Sequence, residues 1–597
     1  MQYPIETRRH SAAHVMAAAI QRLFPLAKFG VGPTIENGFY YDIDIGRALT
    51  PEDLVAIDQE MKKVVKDNPE FARQEMPIDE AIALFDKLGQ VYKVELLNDI
   101  KTRGTTKMSE EEAGDIDASN VDSVSVYTTG GFTDLCRGPH VEKAKDICVW
   151  KLHRFSGAYW RGKSENPQLQ RIYGLCFETK EDLDAHLKLL EEAERRDHRK
   201  IGKDLDLFFF DDMVGKGLVM WLPKGTVMRN EVEKLAVEME DKQGYVRVVT
   251  PHIAREELYL TSGHLPYYKD SMYPPMVMDD GTYYMKAMNC PHHHTIYRHN
   301  LHSYRELPLR LAEYGTVYRN ELSGTLAGLL RVRCLAMNDS HIYCRKDQIK
   351  DEFKKVMELT MTYFRIFGLK DYWFRLSKWS PDHLEKYINQ PENWTYSQDV
   401  IREVLVEMAV PFKEVDDEAA FYGPKVDVQF KSIVGREETM STIQLDFVAK
   451  ERFGLTYTDD TGEKNEEVFV IHRAPLSTHE RFMAFLIEHY AGDFPLWLAP
   501  VQVAVLPVAD RHNEFAQKLA AELKGNGLRV EVDESAESVG KKIRNSEKQK
   551  IPLALVVGDK EAESGELTVR SRGEKDQMVM AKEEFIRMAV EKVEQRL

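Results

Sequence analysis

Residues 314–344, YGTVYRNELSGTLAGLLRVRCLAMNDSHIYC, contain the pattern that decides the fold. Arg319 and Glu321 are two residues apart, so on a strand their side chains lie on the same face. A loop that contains glycine follows, and Arg331 and Arg333 are expected on a second strand with the same alternation. This hairpin suits a nucleotide, because arginine forks bind phosphate and carboxylate groups and a carboxylate accepts from an amino group. A cross-strand ladder of salt bridges is the structural alternative.

A second segment, residues 470–482, reads VIHRAPLSTHERF and combines a strand with a helix. The apolar strand is expected to end in His472, and a helix that begins near Ser477 would carry Arg481. Ser477 or Thr478 is placed to cap this helix.

A third segment, MKAMNCPHHH at residues 285–294, places one cysteine before a proline and three consecutive histidines. Cys290 is a buried small hydrophobe, a nucleophile or one ligand of a metal site, and the local sequence leaves these alternatives open. The cysteines are scattered along the chain. In a reducing compartment such cysteines bind metal or do chemistry more often than they form disulfides.

The length and composition indicate a multidomain globular protein. A chain of 597 residues is too long for one hydrophobic core, so about two to four domains are expected. The net charge of -17 argues against indiscriminate nucleic-acid binding, but it permits a partner that binds through local basic patches. No apolar run reaches the ~20 residues that span a bilayer, and the N-terminus has no signal-peptide core. A cytoplasmic location without membrane contact is therefore expected.

The order of the predicted elements divides the chain into four segments. An α+β segment, about residues 1–180, opens with a helix over residues 10–24 and closes on a buried strand, QLQRIYGLCF. Residues 181–203 are highly charged, and their leucines at helical spacing predict a linker helix. Residues 204–496 mix strands with longer helices. Residues 497–597 alternate strands and helices, which predicts a small α/β domain with a mixed or largely parallel sheet that folds alone.

The first segment contains a cluster of its own. His10 and His14 are four residues apart and share one face of a helix, and FTDLCRGPHV adds Cys136 and His140 in a loop. By spacing alone, HxxxH with CxxxH is typical of a zinc site. A metallohydrolase built on HxxxH is disfavoured, because no acidic residue lies inside the repeat as H-E-x-x-H requires.

Together these segments resemble the class II aminoacyl-tRNA synthetases, and within them the threonyl-tRNA synthetases. YVRVVTP, which ends at Pro251, resembles the first signature motif, VYRNE followed by RVR resembles the second, and residues 472–482 resemble the third. SGH at residues 262–264, MNCP, NDSH, EAAFYGPK and STIQLDF extend the resemblance over essentially the whole chain. It implies an α+β multidomain fold: an N-terminal α+β editing domain (1–180), a linker helix (181–203), a class II catalytic core on an antiparallel sheet (204–496) and a C-terminal α/β anticodon-binding domain (497–597).

The resemblance implies a catalytic zinc ion held by one cysteine and two histidines. The matching residues are Cys290, His341 and His472. Three protein ligands leave the fourth position of zinc open, as a catalytic site requires. The histidines at 292–294 are then bystanders, although His294 could compete as a ligand. The three-residue spacing from His341 keeps Cys344 as a rival ligand.

The resemblance also implies the reaction, in which threonine is activated with ATP and Mg²⁺ to the adenylate and then transferred to tRNA(Thr). Threonine and valine are nearly isosteric, and an apolar pocket separates such a pair by only ~10²-fold, so chelation of the amino and hydroxyl groups by zinc is needed. The implied positions are Asp339 at the hydroxyl, Tyr422 at the amino group, Arg319 between carboxylate and α-phosphate, Glu321 at the adenine amino group, Arg481 and Arg331 at adenine and the terminal phosphates, Gln444 and Ala474 lining the site, and His264 in the transfer step.

Zinc does not exclude serine, which also carries amino and hydroxyl groups and lacks only a methyl group worth ~1–3 kcal/mol. A second, hydrolytic site for Ser-tRNA(Thr) is therefore expected. The resemblance assigns it to the first segment and implies that it works with water, whereas the related alanyl domain binds zinc there; metal in this pocket stays an open alternative. The matching residues are His10, His14, Cys136, His140, Lys93, Asp134 and Tyr41.

The last segment resembles the anticodon-binding domain of several class II synthetases. Glu561 in GDKE and Arg570 in TVRSR match positions that read anticodon bases, which suits hydrogen bonding to splayed loop bases. Ala536 stands where an asparagine is frequent. The implied partners are tRNA(Thr), ATP, L-threonine and a second copy of the chain, which forms a homodimer through the catalytic domain.

Several positions depart from the family pattern. Most bacterial relatives begin with a ubiquitin-like domain, whereas this chain begins at the editing domain, and activity is expected without the extra domain. Leu335 replaces an aromatic residue that stacks on adenine, and Met337 replaces a glutamine that contacts the substrate. Thr439, Ser441 and Ser477 replace a common glutamine and two glycines. These changes bear on adenine affinity rather than on the reaction type.

Two rival functions stay open at this stage. A paralogue could activate an amino acid for a carrier protein, although the anticodon segment argues against it. A non-catalytic RNA-binding relative would not need the retained zinc ligands and arginines.

Overall fold

The computed structural model divides the chain into two compact units, residues 1–190 and 191–597, and each is described by itself. The structure describes residues 3–105, 122–163, 165–384, 386–431, 437–574 and 576–597. The expected α+β class is confirmed, because helices and strands alternate throughout both units.

The first unit packs helices against antiparallel sheets. Its helices are α1 (Ile5–Leu23), α2 (Pro51–Asp67), α3 (Ile78–Lys87), α4 (Val91–Arg103) and the start of α5 (Lys180–Arg196). Its strands are β1 (Lys28–Phe29), β2 (Thr34–Ile35), β3 (Gly38–Asp44), β4 (Ala72–Pro77), β5 (Ser123–Thr129), β6 (Phe132–Leu135), β7 (Val149–Tyr159) and β8 (Gln168–Phe177). The larger sheet has the order β1-β3-β8-β7 with β2 paired to β3, and the smaller sheet has the order β4-β5-β6.

Helix α1 forms the centre of the first unit. Residues 11–20 of this helix are all buried, and many of them are alanines, whose small side chains allow neighbouring elements to approach closely. A helix that is buried on nearly all sides belongs to a core rather than to a surface. The helix expected over residues 10–24 is therefore confirmed, and it begins earlier, at Ile5.

Cys148, which directly precedes β7, and Cys176 of β8 lie side by side, with their Cα atoms 5.6 Å apart. Trp150 is the register partner of Cys176, which brings the start of β7 next to the end of β8. The pair is placed to form a disulfide, which departs from the expectation that cysteines of this chain bind metal or do chemistry more often than they form disulfides. Sequence spacing could not reveal it, because the two residues meet only through the pairing of β7 with β8.

The first part of the second unit combines helices with one large sheet and three small ones. The helices of this part are α6 (His198–Asp204), α7 (Pro223–Lys242), α8 (Glu256–Ser262), α9 (His264–Tyr267), α10 (Cys290–His299), α11 (Ile349–Ile366), α12 (Pro391–Glu407), α13 (Ala449–Phe453) and α14 (His479–Tyr490). The strands are β9 (Phe208–Phe210), β10 (Val219–Trp221), β11 (Val246–Arg247), β12 (Ile253–Arg255), β13 (Met276–Met278), β14 (Gly281–Met285), β15 (Leu309–Tyr318), β16 (Cys334–Arg345), β17 (Tyr372–Ser377), β18 (Phe412–Val415), β19 (Lys425–Lys431), β20 (Glu437–Asp446), β21 (Tyr457–Thr458), β22 (Lys464–Asn465) and β23 (Val468–Arg473).

The large sheet of this part has the order β11-β15-β16-β23-β20-β19-β17-β18. The edge strands β11 and β18 pair in parallel with their neighbours, and the strands between them pair antiparallel. The antiparallel catalytic sheet expected from the sequence is thus present. Helices α11 and α14 cover one face of it and share its largest apolar core.

The hairpin predicted over residues 314–344 is confirmed, but its charged residues lie beyond the strands. Strand β15 ends at Tyr318 and β16 begins at Cys334. The expectation that these strands carry the charged residues is therefore wrong for Arg319, Glu321, Arg331 and Arg333. Only Arg319 extends the pairing, through its amide to the carbonyl of Arg333. The amide of Glu321 instead bonds to the carbonyl of Arg319 in a tight turn, which leads the chain away from the ladder.

The predicted linker helix is two helices rather than one. Helix α5 ends at Arg196, and α6 begins at His198. Between them, Asp197 accepts a hydrogen bond from the amide of Arg199 and so caps α6. A side chain that caps a new helix replaces the next backbone hydrogen bond of the old one, which interrupts the continuous helix that the leucine spacing predicts.

The C-terminal part contains its own sheet and core. Its strands are β24 (Val503–Pro507), β25 (Val530–Val532), β26 (Leu553–Val557), β27 (Glu566–Ser571) and β28 (Gln577–Ala581), and its helices are α15 (Asn513–Gly525), α16 (Val539–Lys548), α17 (Asp559–Ser564) and α18 (Lys582–Glu594). The order is β25-β24-β26-β27-β28, parallel for the first three strands and antiparallel for the last two. The predicted mixed sheet is confirmed. Independent folding stays a prediction, since Arg529 forms an ion pair with Glu231 of α7 at 2.9 Å.

A buried ion pair joins α7 to the centre of the large sheet. Arg473 Nη1 lies 2.7 Å from Glu240 Oε1, and neither side chain is exposed. Asn338 donates to the same carboxylate oxygen at 3.0 Å, and Arg247 pairs with the other oxygen. Because Asn338 and Arg473 lie on β16 and β23, this network connects both strands to the same helix.

In the part of the chain that the structure describes, none of the helices is both long and apolar enough to cross a lipid bilayer.

The Glu240→Ala substitution is expected to destabilise the second unit by about 3–5 kcal/mol, because it leaves the buried Arg473 guanidinium without its partner. The measurement is the denaturant midpoint of that unit. Lys518→Ala is the matched control, since its ion pair with Glu514 lies on the surface, and it should leave the midpoint unchanged. Equal midpoints for the two variants would contradict the stabilising role of the buried pair.

Candidate functional site

Three potential metal ligands converge at the middle of the large sheet. Cys290 is the first residue of α10, His341 lies in β16 and His472 lies in β23. One ligand atom of each lies within 4.8 Å of the others, and all three residues are buried. His341 and His472 are direct register partners, so the pairing of the strands places their rings side by side, with centroids 4.5 Å apart. The structure therefore brings together the three residues that the sequence predicted as ligands.

The electrostatics of this cluster suit a cation. Burial raises the pKa of the Cys290 thiol well above its usual value, and burial together with His472 lowers the pKa of His341 well below its usual value. Both histidine and cysteine must give up protons to bind metal, and burial already keeps the imidazole neutral. A divalent ion would supply the positive charge that a buried thiolate requires. One sulfur and two nitrogens form a donor set that fits zinc with one open position.

Cys344 lies on the other side of the sheet from the cluster. It is three residues from His341 on the same strand, so its side chain points to the opposite face. Its sulfur is buried in the large apolar core, 3.7 Å from the carbonyl oxygen of Phe469. The rival assignment of Cys344 as a ligand is therefore wrong, because strand geometry excludes residues at odd spacing from the same site.

The histidines that follow Cys290 are not all bystanders. His293 lies three residues after Cys290, on the same face of α10, and its Nδ1 lies 2.7 Å from Nδ1 of His341. His294 lies near His472 and Asp446 in a second group that could hold a metal ion, as the expected competition implies. The sequence interpretation missed the contact of His293, although the helical spacing from Cys290 was a signal that could have revealed it.

Asp446 orients the second histidine ligand. Its Oδ2 lies 3.1 Å from Nε2 of His472, and its Oδ1 accepts from the amides of Val448 and Ala449. The contact leaves Nδ1 of His472 for a metal. A carboxylate behind a histidine ligand fixes the ring and raises its basicity. The sequence interpretation assigned no role to Asp446, because its partner lies on the neighbouring strand.

The residues predicted to bind the amino acid surround this cluster. Asp339 accepts a hydrogen bond from Asn289 at 2.9 Å, and its Oδ1 lies 3.9 Å from Nε2 of His341. The ring of Tyr422 stacks on His472 at 5.2 Å, and its hydroxyl donates to Gln444. Ala474 directly follows β23 and lies beside β20, because its amide donates to the carbonyl of Thr442.

His264 lines one cavity together with Cys290 and His472 of the metal cluster. Its Nδ1 lies 2.8 Å from the hydroxyl of Ser262. Burial, with the charges of His472 and Arg452, lowers the pKa of His264 to about 4. The imidazole is therefore neutral at physiological pH, and its Nε2 is left for a ligand.

The predicted nucleotide-binding arginines lie around the hairpin loop. Arg331 pairs with Glu321 at 2.8 Å, so the salt bridge considered as the structural alternative is present between these two residues. Arg319 lies against Met288, its Nη2 3.5 Å from the sulfur. Arg481 lies 3.9 Å from Glu438, and burial lowers its pKa. Thr478, rather than Ser477, caps α14 by accepting from the amide of Arg481.

A buried histidine holds the far end of this loop. His198 Nε2 accepts from the amide of Leu329 at 3.0 Å, while its Nδ1 lies 2.7 Å from Glu488. The loop that carries Arg331 is thus attached to α6 and α14. The sequence interpretation missed His198, because this histidine lies in a highly charged run of residues.

Two of the departures from the family pattern, Leu335 and Met337, lie on the second strand of the hairpin. Leu335 packs with Val317 and Val332 in a small apolar cluster, and Met337 packs against that cluster. Both side chains are therefore supported by apolar contacts within the hairpin itself. The effect on adenine affinity stays a prediction.

The first unit contains the second predicted cluster. His10, His14, Cys136 and His140 each place a ligand atom within 4.8 Å of the others. The Cys136 sulfur lies 3.3 Å from Nε2 of His10 and 3.2 Å from Nε2 of His140. Helix α1 contributes the first two histidines, and the loop after β6 contributes the other two residues, as the sequence predicts.

A buried charge pair forms the floor of this cluster. Lys93 Nζ lies 2.5 Å from Asp134 Oδ1, and both side chains are buried. Tyr41 donates to the same carboxylate, and Lys93 donates to the Tyr41 hydroxyl at 3.2 Å. His14 Nε2 lies 3.4 Å from Asp134. The structure therefore brings all seven residues of the predicted editing pocket into one contiguous group.

The cluster is neutral at physiological pH. Burial, assisted by Asp134, raises the pKa of the Cys136 thiol to about 12. Burial also lowers the pKa of His10, His14 and His140. A protonated thiol and neutral imidazoles can donate to and accept from a water molecule, whereas metal binding would require loss of the thiol proton.

The predicted anticodon residues lie on neighbouring elements of the C-terminal sheet. Glu561 of α17 accepts from the hydroxyl of Thr568 at 2.7 Å and from the amide of Gly558 at 2.9 Å. Arg570 is two residues from Thr568 on β27, so its side chain lies on the same face of the strand. Glu561 and Arg570 are thus on one face of the sheet.

Comparisons with known proteins agree with these sites. The family model of the tRNA synthetase class II core domain (G, H, P, S and T) matches residues 276–490, and the anticodon binding domain matches residues 502–592. The threonyl and alanyl tRNA synthetase second additional domain matches residues 124–173. A threonine–tRNA ligase of Geobacillus sp. (strain WCH70) is 50% identical over 98% of this chain and 88% of its own length.

The chain belongs to the threonine–tRNA ligases.

Further relatives support this assignment. Threonine–tRNA ligase 1 of Bacillus subtilis (strain 168) is 49% identical to this ligase over 98% of the present chain and 88% of its own length. The solved RNA binding domain of threonyl-tRNA synthetase from Cryptosporidium parvum Iowa II is 34% identical, with a TM-score of 0.63, and covers 66% of this chain and 98% of its own. The ligase is thus an aminoacyl-tRNA synthetase with a class II core, an anticodon-binding domain and an editing-related domain.

Glu480 is a buried acid beside Arg481 that the sequence interpretation left without a role. Its carboxylate accepts from the amide of Ala336 at 3.1 Å, which attaches α14 to β16. Burial raises the pKa of Glu480 to about 7 from 4.5. The folded state therefore binds this proton more tightly than the unfolded state does.

The Glu480→Gln substitution is expected to stabilise the protein increasingly as pH rises from 4.5 to 7. A group whose pKa is raised by folding contributes its full stabilisation at pH values below its pKa in the unfolded state. That stabilisation is lost as the pH rises through its pKa in the folded state. Above pH 7 the free energy of unfolding of the variant should exceed that of wild type by about 3 kcal/mol, because each unit of pKa shift corresponds to about 1.4 kcal/mol. The measurement is the denaturant midpoint as a function of pH.

Glu233→Gln is a control of opposite sign, because the hydrogen bond from His479 lowers the pKa of Glu233. That variant should lose stability relative to wild type as pH rises. A pH-independent difference for Glu480→Gln would refute the raised pKa.

Proposed function

We propose that the chain activates L-threonine with ATP, transfers it to tRNA(Thr) and hydrolyses Ser-tRNA(Thr) at a separate pocket. The observation that carries this proposal is the convergence of Cys290, His341 and His472 beside Asp339, in a chain whose relatives are threonine–tRNA ligases. The editing pocket is proposed for the group around Cys136 and the Lys93–Asp134 pair in the first unit.

Selection of threonine over valine is proposed to depend on zinc held by the three buried ligands. When bound, zinc supplies a Lewis acid that chelates the amino and hydroxyl groups together, which valine cannot satisfy. Asp339 accepts from the substrate hydroxyl, and its position 3.9 Å from the His341 ring supports this role. Tyr422 seats the amino group, supported by its stacking on His472.

Adenylate formation is proposed to use the cations around the hairpin loop. Arg319 bridges the threonine carboxylate and the α-phosphate and stabilises the developing negative charge. Glu321 binds the adenine amino group, Arg481 and Arg331 bind adenine and the terminal phosphates with Mg²⁺, and Gln444 and Ala474 line the site. The Glu321–Arg331 ion pair is compatible with this assignment, because it keeps both side chains together on the loop. His264 assists transfer to the terminal ribose, and its neutral imidazole can accept the hydroxyl proton.

Editing is proposed to proceed by water activation without metal. The neutral thiol and imidazoles around Cys136 form hydrogen bonds to one water molecule, and the Lys93–Asp134 pair supplies charge at the floor of the pocket. The extra methyl of threonine would be excluded from this pocket. Serine lacks that methyl and is admitted, as a second sieve requires.

The partners are proposed to be tRNA(Thr) and a second copy of the chain. Glu561 and Arg570 read anticodon bases from one face of the C-terminal sheet. The homodimer uses the apolar surface around the first motif, where Val249 is 92% exposed and Val277 is 81% exposed in the single chain. Burial of such a patch is a strong reason to associate. The proposed location is the cytoplasm.

Cys290→Ala is expected to reduce the zinc content from about one ion per chain to almost none, because the thiolate is the strongest donor of the set. Threonine-dependent ATP–pyrophosphate exchange should fall with it. Cys344→Ala is the matched control, since this cysteine lies three residues from His341 but faces the apolar core. Metal analysis of both purified variants provides the measurement, and equal zinc contents would refute the assignment of Cys290.

Cys136→Ala is expected to accumulate Ser-tRNA(Thr) while threonylation of tRNA(Thr) persists, because the two pockets use different residues. The assay charges tRNA(Thr) with threonine and, separately, with serine. His153→Ala is the control: this residue lies on β7 of the same unit and is not part of the pocket. Negligible serine charging by the Cys136 variant would defeat the editing assignment.

A further inference from the structure

A line of buried polar groups runs from the end of the first motif to the metal cluster. Glu313 of β15 lies 3.2 Å from Nε2 of His293 through its Oε2. His293 Nδ1 lies 2.7 Å from His341 Nδ1. The His293 side chain has no exposed surface, and those of Glu313 and His341 are buried too. Each member therefore has to satisfy its hydrogen bonds within this line.

Glu313 determines the direction of the donors along the line. Its Oε1 accepts from the amide of Thr250 at 2.9 Å, its Oε2 accepts from the Thr250 hydroxyl at 2.9 Å, and the Lys286 ammonium lies 3.6 Å from Oε1. Burial acts to raise the pKa of Glu313, but hydrogen bonds from His293 and Thr250 outweigh it and lower the pKa to about 2. An ionised carboxylate can only accept, so the Nε2 of His293 has to carry the proton.

The same rule applies at the next two rings. When His293 donates from Nε2 and carries no proton on its other ring nitrogen, that Nδ1 is an acceptor. Nδ1 of His341 is its neighbour at 2.7 Å and therefore has to carry the proton. Nε2 of His341 is then unprotonated, and its lone pair is available to a metal ion.

We propose that Glu313 and His293 are positioning residues for zinc binding, because they hold His341 in the tautomer whose Nε2 accepts a metal. The inference rests on the zinc site proposed above and assigns the role of residues behind it. It also separates the two histidine ligands. His472 contacts its carboxylate, Asp446, directly, whereas His341 reaches Glu313 through a second imidazole.

The Glu313→Gln substitution tests the donor logic with almost no change of shape. The donors Thr250 and Lys286 select the amide oxygen of the glutamine at the Oε1 position, which turns its NH₂ group towards His293. His293 then accepts at Nε2 and donates from Nδ1, and the proton of His341 moves to Nε2. Zinc affinity of the full chain, measured by competition with a chromogenic chelator, is expected to fall about 10–100-fold.

Two substitutions at His293 separate positioning from packing. Asparagine places an amide oxygen near the former Nδ1, so His293→Asn keeps an acceptor for His341. Glutamine places its amide near the former Nε2, so His293→Gln keeps the Glu313 contact and loses the one to His341. Zinc affinity is expected to stay within about threefold of wild type for His293→Asn and to fall about 10–100-fold for His293→Gln. His299→Gln, on the exposed end of α10, is the control.

The unfolding midpoint of each metal-free variant is measured in parallel. Loss of zinc affinity in Glu313→Gln and His293→Gln, with affinity retained in His293→Asn, supports the proposal whatever the midpoints are. Wild-type zinc affinity in Glu313→Gln, or equal losses in the two His293 variants, overturns it. Absence of zinc binding by the wild-type chain would instead refute the proposed zinc site, so the two failures are distinguishable.

Discussion

Glu240 and Arg473 form an ion pair in which both side chains are fully buried. Arg473 directly follows His472 on β23. A slip of one residue between β16 and β23 would turn every side chain of the moving strand to the opposite face. Arg473 would then lose Glu240, and an unpaired guanidinium inside the core is strongly disfavoured. The charged pair thus specifies the register that places His341 opposite His472. The metal cluster therefore depends on the Glu240–Arg473 ion pair, although neither residue is one of its ligands.

Burial has different consequences in the two pockets of the chain. In the catalytic cluster it surrounds a thiol and two imidazoles with further carboxylates, Asp339 and Asp446, so a cation is the missing charge. In the proposed editing pocket the carboxylate that contacts the cluster, Asp134, is already paired with Lys93. A metal ion at that site would have less negative charge to neutralise, because Lys93 already balances Asp134. This difference of charge, rather than of ligand type, is the physical reason to propose zinc in one pocket and water in the other.

The hairpin loop, which is the proposed nucleotide site, is organised without strands beneath every side chain. The loop leaves the sheet after Arg319, yet Glu321 pairs with Arg331 and the amide of Leu329 is bound by His198. These contacts organise the loop before a ligand arrives, which reduces the entropy lost on binding. The loop therefore has a preferred geometry before a ligand binds.

The sequence by itself determined the features that depend on local spacing. Helical spacing predicted that His10 and His14 share a face, strand and helix patterns predicted the alternation of the C-terminal part, and the Ser-Thr pair predicted a cap before Arg481. Motif resemblance selected Cys290, His341 and His472 from residues scattered over the chain. Only the tertiary structure decided which histidine after Cys290 supports a ligand, that Cys344 faces away, that Asp446 stands behind His472 and that Cys148 meets Cys176. Each of these depends on which strand lies beside which and in what register, and that information is held in long-range packing rather than in any local run of residues.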